Sequence, residues 1–329
     1  MPFLAPDARH PAIFPMTPPL SLADVRAAHE RIQRYIHRTP VITSQLLDRE
    51  FGARLFFKCE NFQKAGAFKS RGACNALFSL TDDEARRGVA THSSGNHAAA
   101  LARAAGLRGV TAHIVMPTNS PLTKQRAVQG YGGRIVFCEP NLAAREATCA
   151  KVIAETGATL VHPYDDYRIM AGQGTAALEF LEEMRDLEVM IAPVGGGGLL
   201  GGTAVATKGF NPRVRVVGAE PAQADDAFRS LQAGHIVSTT PNTIADGLRT
   251  AVGQRNFPLL QTHVDEIVTV SEAAIVHAMR RIWEVLKIVV EPSAAVALAG
   301  LVEHPSKAKT RVGIILSGGN VDLDALPWK

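Results

Sequence analysis

The chain has 329 residues, of which 46% are hydrophobic and 20% are charged. This composition is typical of a globular protein and excludes a mainly disordered chain, and the length favours two lobes or one large α/β unit. No run of 18 apolar residues occurs, so we expect no membrane-spanning helix. Basic side chains outnumber acidic ones by only 35 to 31, which argues against nucleic-acid or membrane partners but suits a small anionic ligand.

The cysteines and the start of the chain add two expectations. Cys59, Cys74, Cys138 and Cys149 form no C-x-x-C pair and no zinc-binding spacing, which favours reduced, buried thiols in a cytoplasmic protein. The first 19 residues contain six of the 19 prolines and no continuous apolar core. We therefore interpret that stretch as a loosely packed N-terminal arm, not as a signal peptide.

From residue 21 onwards, short apolar segments alternate with alanine-rich helical ones. Ser21 and Asp24 form a predicted capping box before the first predicted helix, Val25–His37. The predicted buried strands are Leu55–Lys58, Val110–Met116, Arg134–Cys138, Val189–Val194, Val214–Ala219 and Val312–Leu316. The predicted helices between them include Ala98–Ala105, Ala143–Glu155, Thr175–Glu183 and Glu272–Leu286. This alternation predicts an α/β fold with mainly parallel, twisted sheets flanked by helices.

A run of four glycines, Gly195–Gly198, follows one predicted strand and begins a helix. Its backbone N–H groups are suited to converge on a phosphate group. The run also fits the dinucleotide-binding fingerprint Gly196-x-Gly198-x-x-Gly201, with Glu220 as the candidate ribose-binding acid. An NAD-linked oxidoreductase is therefore one alternative at this point.

Lys69 follows a glycine turn and an aromatic residue, Phe68. A lysine that forms a Schiff base must be held in a fixed position and be partly neutral at the working pH. We expect like-charge repulsion from Lys58, Lys64 and Arg71 to lower its pKa. Lys69 is thus a candidate nucleophile, although a lysine taken alone is usually a solvated surface residue.

Four motifs occur in an order that resembles the fold-type-II pyridoxal-phosphate enzymes of the threonine/serine dehydratase and serine racemase family. The motifs are Lys58–Gly72, His92–His97, the glycine run and Leu316–Asn320, and the similarity extends from about Ser21 to Leu323. The resemblance implies a two-lobed fold like that of the tryptophan synthase β chain. It implies a discontinuous cofactor-binding domain of residues 1–87 and 166–329, a substrate-side domain of residues 88–165, and a homodimer.

The resemblance also implies which residues bind pyridoxal 5'-phosphate. Lys69 carries the cofactor as a Schiff base, Phe68 lies against its ring, and Ser317 faces the pyridine nitrogen. Asn96 bonds the ring hydroxyl. The phosphate lies at a helix N-terminus and is held by Gly195, Gly196, Gly197, Gly198 and Leu199.

The substrate-binding residues implied by the family form one loop and one arginine. The loop of Ser93, Ser94, Gly95, Asn96 and His97 binds the substrate α-carboxylate through its backbone N–H groups. Ser94 matches the acid/base that faces Lys69 across the cofactor, although a loop or N-cap serine is the alternative. Arg145 is placed to pair with a second carboxylate, as in 3-hydroxyaspartate, and an exposed helix arginine is the alternative. His92 and His97 are interpreted as structural.

A third implied site binds a divalent cation, Mg²⁺, Mn²⁺ or Ca²⁺. Glu220, Ala224 and Asp226 match the family positions at which two carboxylates and a carbonyl oxygen bind the ion, and these are ligands that a hard cation prefers. The alternative is an acidic, solvated helix start. If the segment binds a metal, Glu220 is not a ribose ligand.

The implied reaction is β-elimination of water from a β-hydroxy amino acid such as L-serine, L-threonine or 3-hydroxyaspartate, giving a 2-oxo acid and ammonia. Racemisation of serine or aspartate by Lys69 and Ser94 is the nearest alternative. A cofactor-binding regulator without turnover is a further one. Ala67, Ala98 and Ala99 depart from the family pattern and line the expected site, so they bear on which substrate side chain is accepted.

Overall fold

The computed structural model describes residues 20–305 and 311–328, so the predicted N-terminal arm lies outside the described residues. The α-helices are α1 Leu22–Ile32, α2 Gln45–Phe51, α3 Lys69–Phe78, α4 Asp82–Arg86, α5 Asn96–Arg108, α6 Leu122–Gly130, α7 Leu142–Thr156, α8 Tyr167–Glu183, α9 Gly198–Phe210, α10 Asp226–Ala233, α11 Asn256–His263, α12 Glu272–Arg281 and α13 Pro292–Glu303. The strands are β1 Val41–Thr43, β2 Arg54–Cys59, β3 Val89–His92, β4 Ala112–Pro117, β5 Arg134–Cys138, β6 Thr159–Leu160, β7 Val189–Pro193, β8 Arg215–Pro221, β9 Glu266–Val270 and β10 Arg311–Leu316.

The strands of the described residues form two sheets. The six-stranded sheet has the order β1–β2–β10–β7–β8–β9, and all its pairs are parallel except β1–β2. The four-stranded sheet has the order β5–β4–β3–β6 and is parallel throughout. The predicted α/β class with mainly parallel sheets is therefore confirmed. The smaller sheet lies within the span of residues 88–165, and the domain boundaries themselves stay a prediction.

The six-stranded sheet is covered by helices on both faces. On one face, α13 packs against β10, β7 and β8 and α12 packs against α13, and on the other face α9 packs on the same sheet. The central strands are accordingly buried almost throughout, as expected for parallel strands covered on both sides. No helix in the described ranges has the length and apolar character needed to cross a membrane.

Several predicted elements differ from the structure in detail. The capping box of Ser21 and Asp24 is confirmed, but the helix it caps ends at Ile32 and not at His37. The prediction that Arg134–Cys138 is a buried strand is wrong about burial, because β5 is the edge strand of the small sheet and only Cys138 in it is buried. The predicted helix Glu272–Leu286 is α-helical only to Arg281 and continues as one π-helical turn.

Parallel strand direction brings the predicted chemical loops together. Strands β3 and β4 of the small sheet and β7 and β10 of the large sheet all end at the same cleft. The loops that follow them contain the serine-rich segment, the glycine run and Ser317. Ligands in open α/β sheets bind beyond the carboxyl ends of strands, so we expect the functional site in this cleft.

Candidate active site

A cavity of about 460 Å³ occupies the cleft between the two sheets. It is lined by every residue predicted to bind the cofactor or the substrate. These are Phe68, Lys69, Ser93, Ser94, Gly95, Asn96, His97, Arg145, Gly195, Gly196, Gly197, Gly198, Leu199 and Ser317. The structure thus brings the four sequence motifs into one site, and the individual roles assigned to these residues stay predictions.

Lys69 is the first residue of α3 and its side chain enters the cavity. Its Nζ donates a hydrogen bond to the carbonyl of Pro163 at 2.8 Å and lies 5.0 Å from the centroid of the Phe68 ring. Burial lowers the pKa of Lys69 to about 8, against the opposing attraction of Glu291. A substantial neutral fraction near neutral pH makes the amine a competent nucleophile.

The predicted cause of that pKa shift is wrong. Lys58 and Arg71 belong to a separate buried ion-pair network with Glu60 and Glu179, and they are neutralised there. Removal of the Lys69 amine from water, and not repulsion from these cations, disfavours its charged form.

The packing of the protein leaves no room for side chains in the glycine run. A Cβ on Gly196 would overlap the ring of Tyr164, and Gly197 has a φ of +92° and lies against Asn256. The run leads into α9, a 13-residue helix whose first residues line the cavity. The backbone can therefore approach an anion at a helix N-terminus without a side chain in the way.

The serine-rich loop forms a second helix N-terminus at the same cavity. Gly95 is the N-cap of α5, and the Ser93 hydroxyl accepts a hydrogen bond from its N–H at 3.4 Å. The His97 Nε2 donates a hydrogen bond to the carbonyl of Val161 at 3.2 Å. Burial holds the pKa of His97 well below its usual range, so the ring is neutral. His92 and His97 therefore act as neutral cavity-wall residues, and no group of three metal-ligating side chains is found among the described residues.

Glu291 is a cavity residue that the sequence reasoning missed. It is 4% exposed and accepts a hydrogen bond from Asn96 Nδ2 at 2.8 Å, while Asn96 Oδ1 accepts one from Asn320 Nδ2 at 2.9 Å. Burial raises the pKa of Glu291 to about 8, and the charge of Asp246 adds to that rise. Asn320 belongs to a recognised motif, but Glu291 lies in no glycine-rich or charged pattern that would mark it. The amide of Asn96 is thus held with one N–H free for a ligand.

Arg145 lies on α7 at the small-sheet side of the cavity and is half-buried, which rules out the alternative of a fully exposed helix arginine. Its Nε is buried without a hydrogen-bond partner, and no acidic side chain in the described ranges forms an ion pair with it. A buried N–H donor without a partner is costly, and a ligand that supplies an acceptor would remove that cost. The position therefore suits a carboxylate bound in the cavity.

The predicted metal ligands lie outside this cavity, behind the glycine loop. Glu220 lies near the end of β8 and accepts hydrogen bonds from the N–H groups of Ala227 at 3.1 Å and Phe228 at 2.8 Å, and Asp226 accepts one from Val252 at 2.6 Å. Both carboxyl groups are buried, so the alternative of a solvated helix start is wrong. Burial raises the pKa of Glu220 to about 9 and that of Asp226 to about 6. Glu220 does not line the cavity, which removes it as a ribose ligand.

Comparison with known proteins gives the family. The model of the family described as pyridoxal-phosphate dependent enzyme matches residues 32–318. A β-hydroxyaspartate dehydratase of Paracoccus denitrificans is 53% identical over 93% of this chain and 98% of its own length. The solved maize serine racemase superposes with a TM-score of 0.91 at 47% identity, over 92% of this chain and 94% of that one. The solved serine racemase of Dictyostelium discoideum superposes with a TM-score of 0.89 at 46% identity, over 92% and 99%.

These similarities extend over the cavity residues and both sheets, so the family of the chain is that of pyridoxal-phosphate enzymes and not that of NAD-linked oxidoreductases, while the phosphate-binding role of the glycine run stays a prediction. Lys69, the two helix N-termini and the aromatic Phe68 supply what a covalently bound pyridoxal phosphate needs: an amine that is partly neutral, an anion site and a ring contact. The chain belongs to the fold-type-II pyridoxal-phosphate dependent enzymes of the threonine/serine dehydratase and serine racemase family.

Proposed function

We propose that this enzyme dehydrates and deaminates a β-hydroxy amino acid that carries a second carboxylate, of the 3-hydroxyaspartate type, to a 2-oxo acid and ammonia. The observation that carries the proposal is the half-buried Arg145 in the cavity wall, whose Nε is buried without a hydrogen-bond partner and which forms no ion pair with a described residue. L-Serine and L-threonine have only the α-carboxylate and no second carboxylate to pair with Arg145. The 53% identity with a β-hydroxyaspartate dehydratase supports the same substrate class.

Pyridoxal phosphate, once bound, supplies the electron sink that stabilises negative charge at the substrate Cα. The N-terminus of α5 and the loop before it bind the α-carboxylate, since its N–H groups and helix dipole favour an anion there. Lys69 removes the Cα proton, which its lowered pKa permits near neutral pH.

Racemisation is the second candidate activity, and the position of Ser94 in the cavity favours it. Racemisation needs a second proton carrier on the face opposite Lys69, whereas elimination needs only one base. Changing Ser94→Ala separates the two activities. We expect it to stop exchange between the enantiomers while ammonia release persists, and equal loss of both would argue against a racemase role for Ser94.

The principal test measures ammonia and 2-oxo acid released from 3-hydroxyaspartate, L-serine and L-threonine by the purified holoenzyme. We expect 3-hydroxyaspartate to be preferred, and Lys69→Ala to lower its turnover by about 10²–10⁴-fold because the base is lost. Lys64→Ala is the matched control, since Lys64 precedes the same helix without lining the cavity. Near-normal turnover by Lys69→Ala would overturn the assigned base, and equal rates with all three substrates would overturn the substrate class.

We also propose that Glu220, the carbonyl of Ala224 and Asp226 bind a divalent cation, Mg²⁺, Mn²⁺ or Ca²⁺. Two buried carboxyl groups support this proposal. Burial, and to a lesser degree the charge of Asp226, raises the pKa of Glu220, and no basic side chain of the described residues is paired to either carboxyl group. Chelation with EDTA is expected to lower the melting temperature of the wild type by several degrees. It is expected to leave Glu220→Gln unchanged, and an equal drop in both proteins would count against the site.

We further propose that the enzyme is a homodimer and that it works in the cytoplasm. Family analogy supports the dimer, and the four cysteines, which are free and buried, are compatible with a reducing compartment.

A further inference from the structure

The crossover segment, residues 161–165, leads from the small sheet into α8 and is held along most of its length. Four of its carbonyl oxygens accept hydrogen bonds from side chains: from His97 at Val161 (3.2 Å), from Lys69 at Pro163 (2.8 Å), from Asn256 at Tyr164 (3.1 Å) and from Arg255 at Asp165 (3.0 Å). The segment therefore has a fixed position relative to the cavity, and so does the side chain that it projects there.

That side chain is Tyr164, whose ring covers the phosphate-binding loop. A Cβ on Gly196 would overlap the ring, and one on Gly198 would lie 3.0–3.1 Å from the backbone and Cβ of Tyr164. The ring of His162 packs edge-on against the tyrosine ring, with centroids 4.7 Å apart. These contacts limit the movement of the ring, and Tyr164 is one of the residues that line the cavity.

The Tyr164 hydroxyl has no hydrogen-bond partner among the described residues. Burial and the charge of Asp165 raise its pKa to about 12, so the phenol stays protonated and can donate a hydrogen bond. Arg145 lines the same cavity, and its Nε is buried without a hydrogen-bond partner.

Tyr164 and Arg145 thus bring two hydrogen-bond donors without an acceptor partner to the same cavity, and an anion is the ligand that suits them. Arginine has no acceptor atom, and the neighbouring acids are otherwise engaged or exposed. Asp165 accepts from the backbone N–H groups of Arg255 (2.8 Å) and Asn256 (3.2 Å), and Glu146 is exposed on α7. A carboxylate bound beside Arg145 is the group that would satisfy both donors at once.

We propose that Tyr164 is a specificity-determining residue, whose hydroxyl binds, together with Arg145, the distal carboxylate of a dicarboxylic β-hydroxy amino acid. The inference rests on the proposed substrate class and deepens it. A monocarboxylic substrate such as L-serine has no group at this position. The hydroxyl therefore contributes to selection between substrates, while the ring contributes to packing over the phosphate loop.

The test compares wild type, Tyr164→Phe and Arg145→Lys as holoenzymes. Tyr164→Phe keeps the ring on Gly196 and removes only the hydroxyl, and Tyr131→Phe, at an exposed tyrosine, is the matched control. Two quantities are measured: the ratio of kcat/KM for 3-hydroxyaspartate to that for L-serine, and the affinity for succinate against butyrate from the change in cofactor absorbance. The succinate titration requires no turnover.

We expect Tyr164→Phe to lower the selectivity ratio and the succinate affinity by about 10-fold or more, as the loss of a hydrogen bond to a charged group predicts. The change should appear mainly in KM, with butyrate binding and the Tyr131→Phe control unaffected. Unchanged succinate affinity, or equal losses for succinate and butyrate, would overturn the role of the hydroxyl.

The same variants distinguish a wrong role for Tyr164 from a wrong substrate class. If Arg145→Lys loses selectivity while Tyr164→Phe does not, the dicarboxylate function stands and the role of Tyr164 is wrong. If the wild type prefers neither 3-hydroxyaspartate nor succinate, the proposed substrate class fails, and the inference fails with it.

Discussion

At the scale of single residues, the cavity is lined by more cationic than anionic side chains. Lys69, Lys124, Arg145 and Arg249 face it, and Glu291 and Asp246 are the acids in its wall. Burial favours the neutral form of Lys69 and of Glu291, so each group is buried at a lower cost than a fixed charge would be. The remaining positive charge suits a phosphate group and the carboxylates of an amino acid.

Because Glu291 is buried, its ionisation makes the stability of the folded protein depend on pH. Its pKa in the folded protein is about 8, above the ordinary value of ~4.3 for an unfolded chain. The protonated form is therefore favoured by folding, and the stability it contributes is fully present below the unfolded pKa and is lost as the pH rises through 8. Gln at this position can still accept the hydrogen bond from Asn96 but does not ionise.

We therefore expect Glu291→Gln to match the wild type in melting temperature at pH 4 and to exceed it by several degrees at pH 9. Calorimetry of the cofactor-free protein, in which the Lys69 amine is free, measures this difference. Glu30→Gln, at an exposed position on α1, is the control and should show no pH-dependent gain. A constant offset between Glu291→Gln and wild type at all pH values would contradict the titration of a buried Glu291.

At the scale of elements, the helix that carries Lys69 is anchored by Arg71, two residues further along α3. The Arg71 guanidinium is fully buried and pairs with both oxygens of Glu60 (2.7 and 2.8 Å) and of Glu179 (2.8 and 2.8 Å). Glu179 lies on α8 and also accepts from Lys58 on β2 at 2.8 Å. The network joins one strand and two helices, so the start of α3 is fixed beneath the cavity.

The sequence predicts the elements better than it predicts these anchors. The lysine-rich motif identifies Lys69, but Glu179 is 108 residues from Arg71, and no local pattern indicates their pairing. The edge position of β5 likewise follows from strand order, which an apolar run alone does not reveal. The change to a π-helical turn after Arg281 is also invisible to periodicity, because the apolar pattern continues through it.

At the scale of the whole molecule, the cavity could be predicted because its loops follow parallel strands and contain ordered motifs. Glu291, Tyr164 and Lys124 could not be predicted, since each reaches the site from a segment without such a motif. Their positions depend on how the two sheets face each other across the cleft. Contacts that cross the cleft are therefore the features that only the structure reveals.

One such contact is the ion pair between Lys124 on α6 and Asp246, which lies in the large-sheet part of the chain. The Lys124 Nζ lies 2.5 Å from Asp246 Oδ2, both residues line the cavity, and their side chains are 31% and 42% exposed. An ion pair this exposed stabilises by at most about 1 kcal/mol and is screened by salt. It is therefore suited to hold the cleft closed while still allowing it to open.

Breaking this pair should make the cofactor easier to lose. We expect Lys124→Met to release pyridoxal phosphate about two- to fivefold faster than the wild type, the change that a contribution of about 0.5–1 kcal/mol gives. The measurement is the rate of cofactor transfer to a trap for free pyridoxal phosphate. The difference should shrink as salt is raised from low to high concentration. The charge-swapped variant Lys124→Asp/Asp246→Lys should restore slow release, because the attraction survives exchange of the partners. Release from the swapped variant as fast as from Lys124→Met would mean that Lys124 acts through something other than its pair with Asp246.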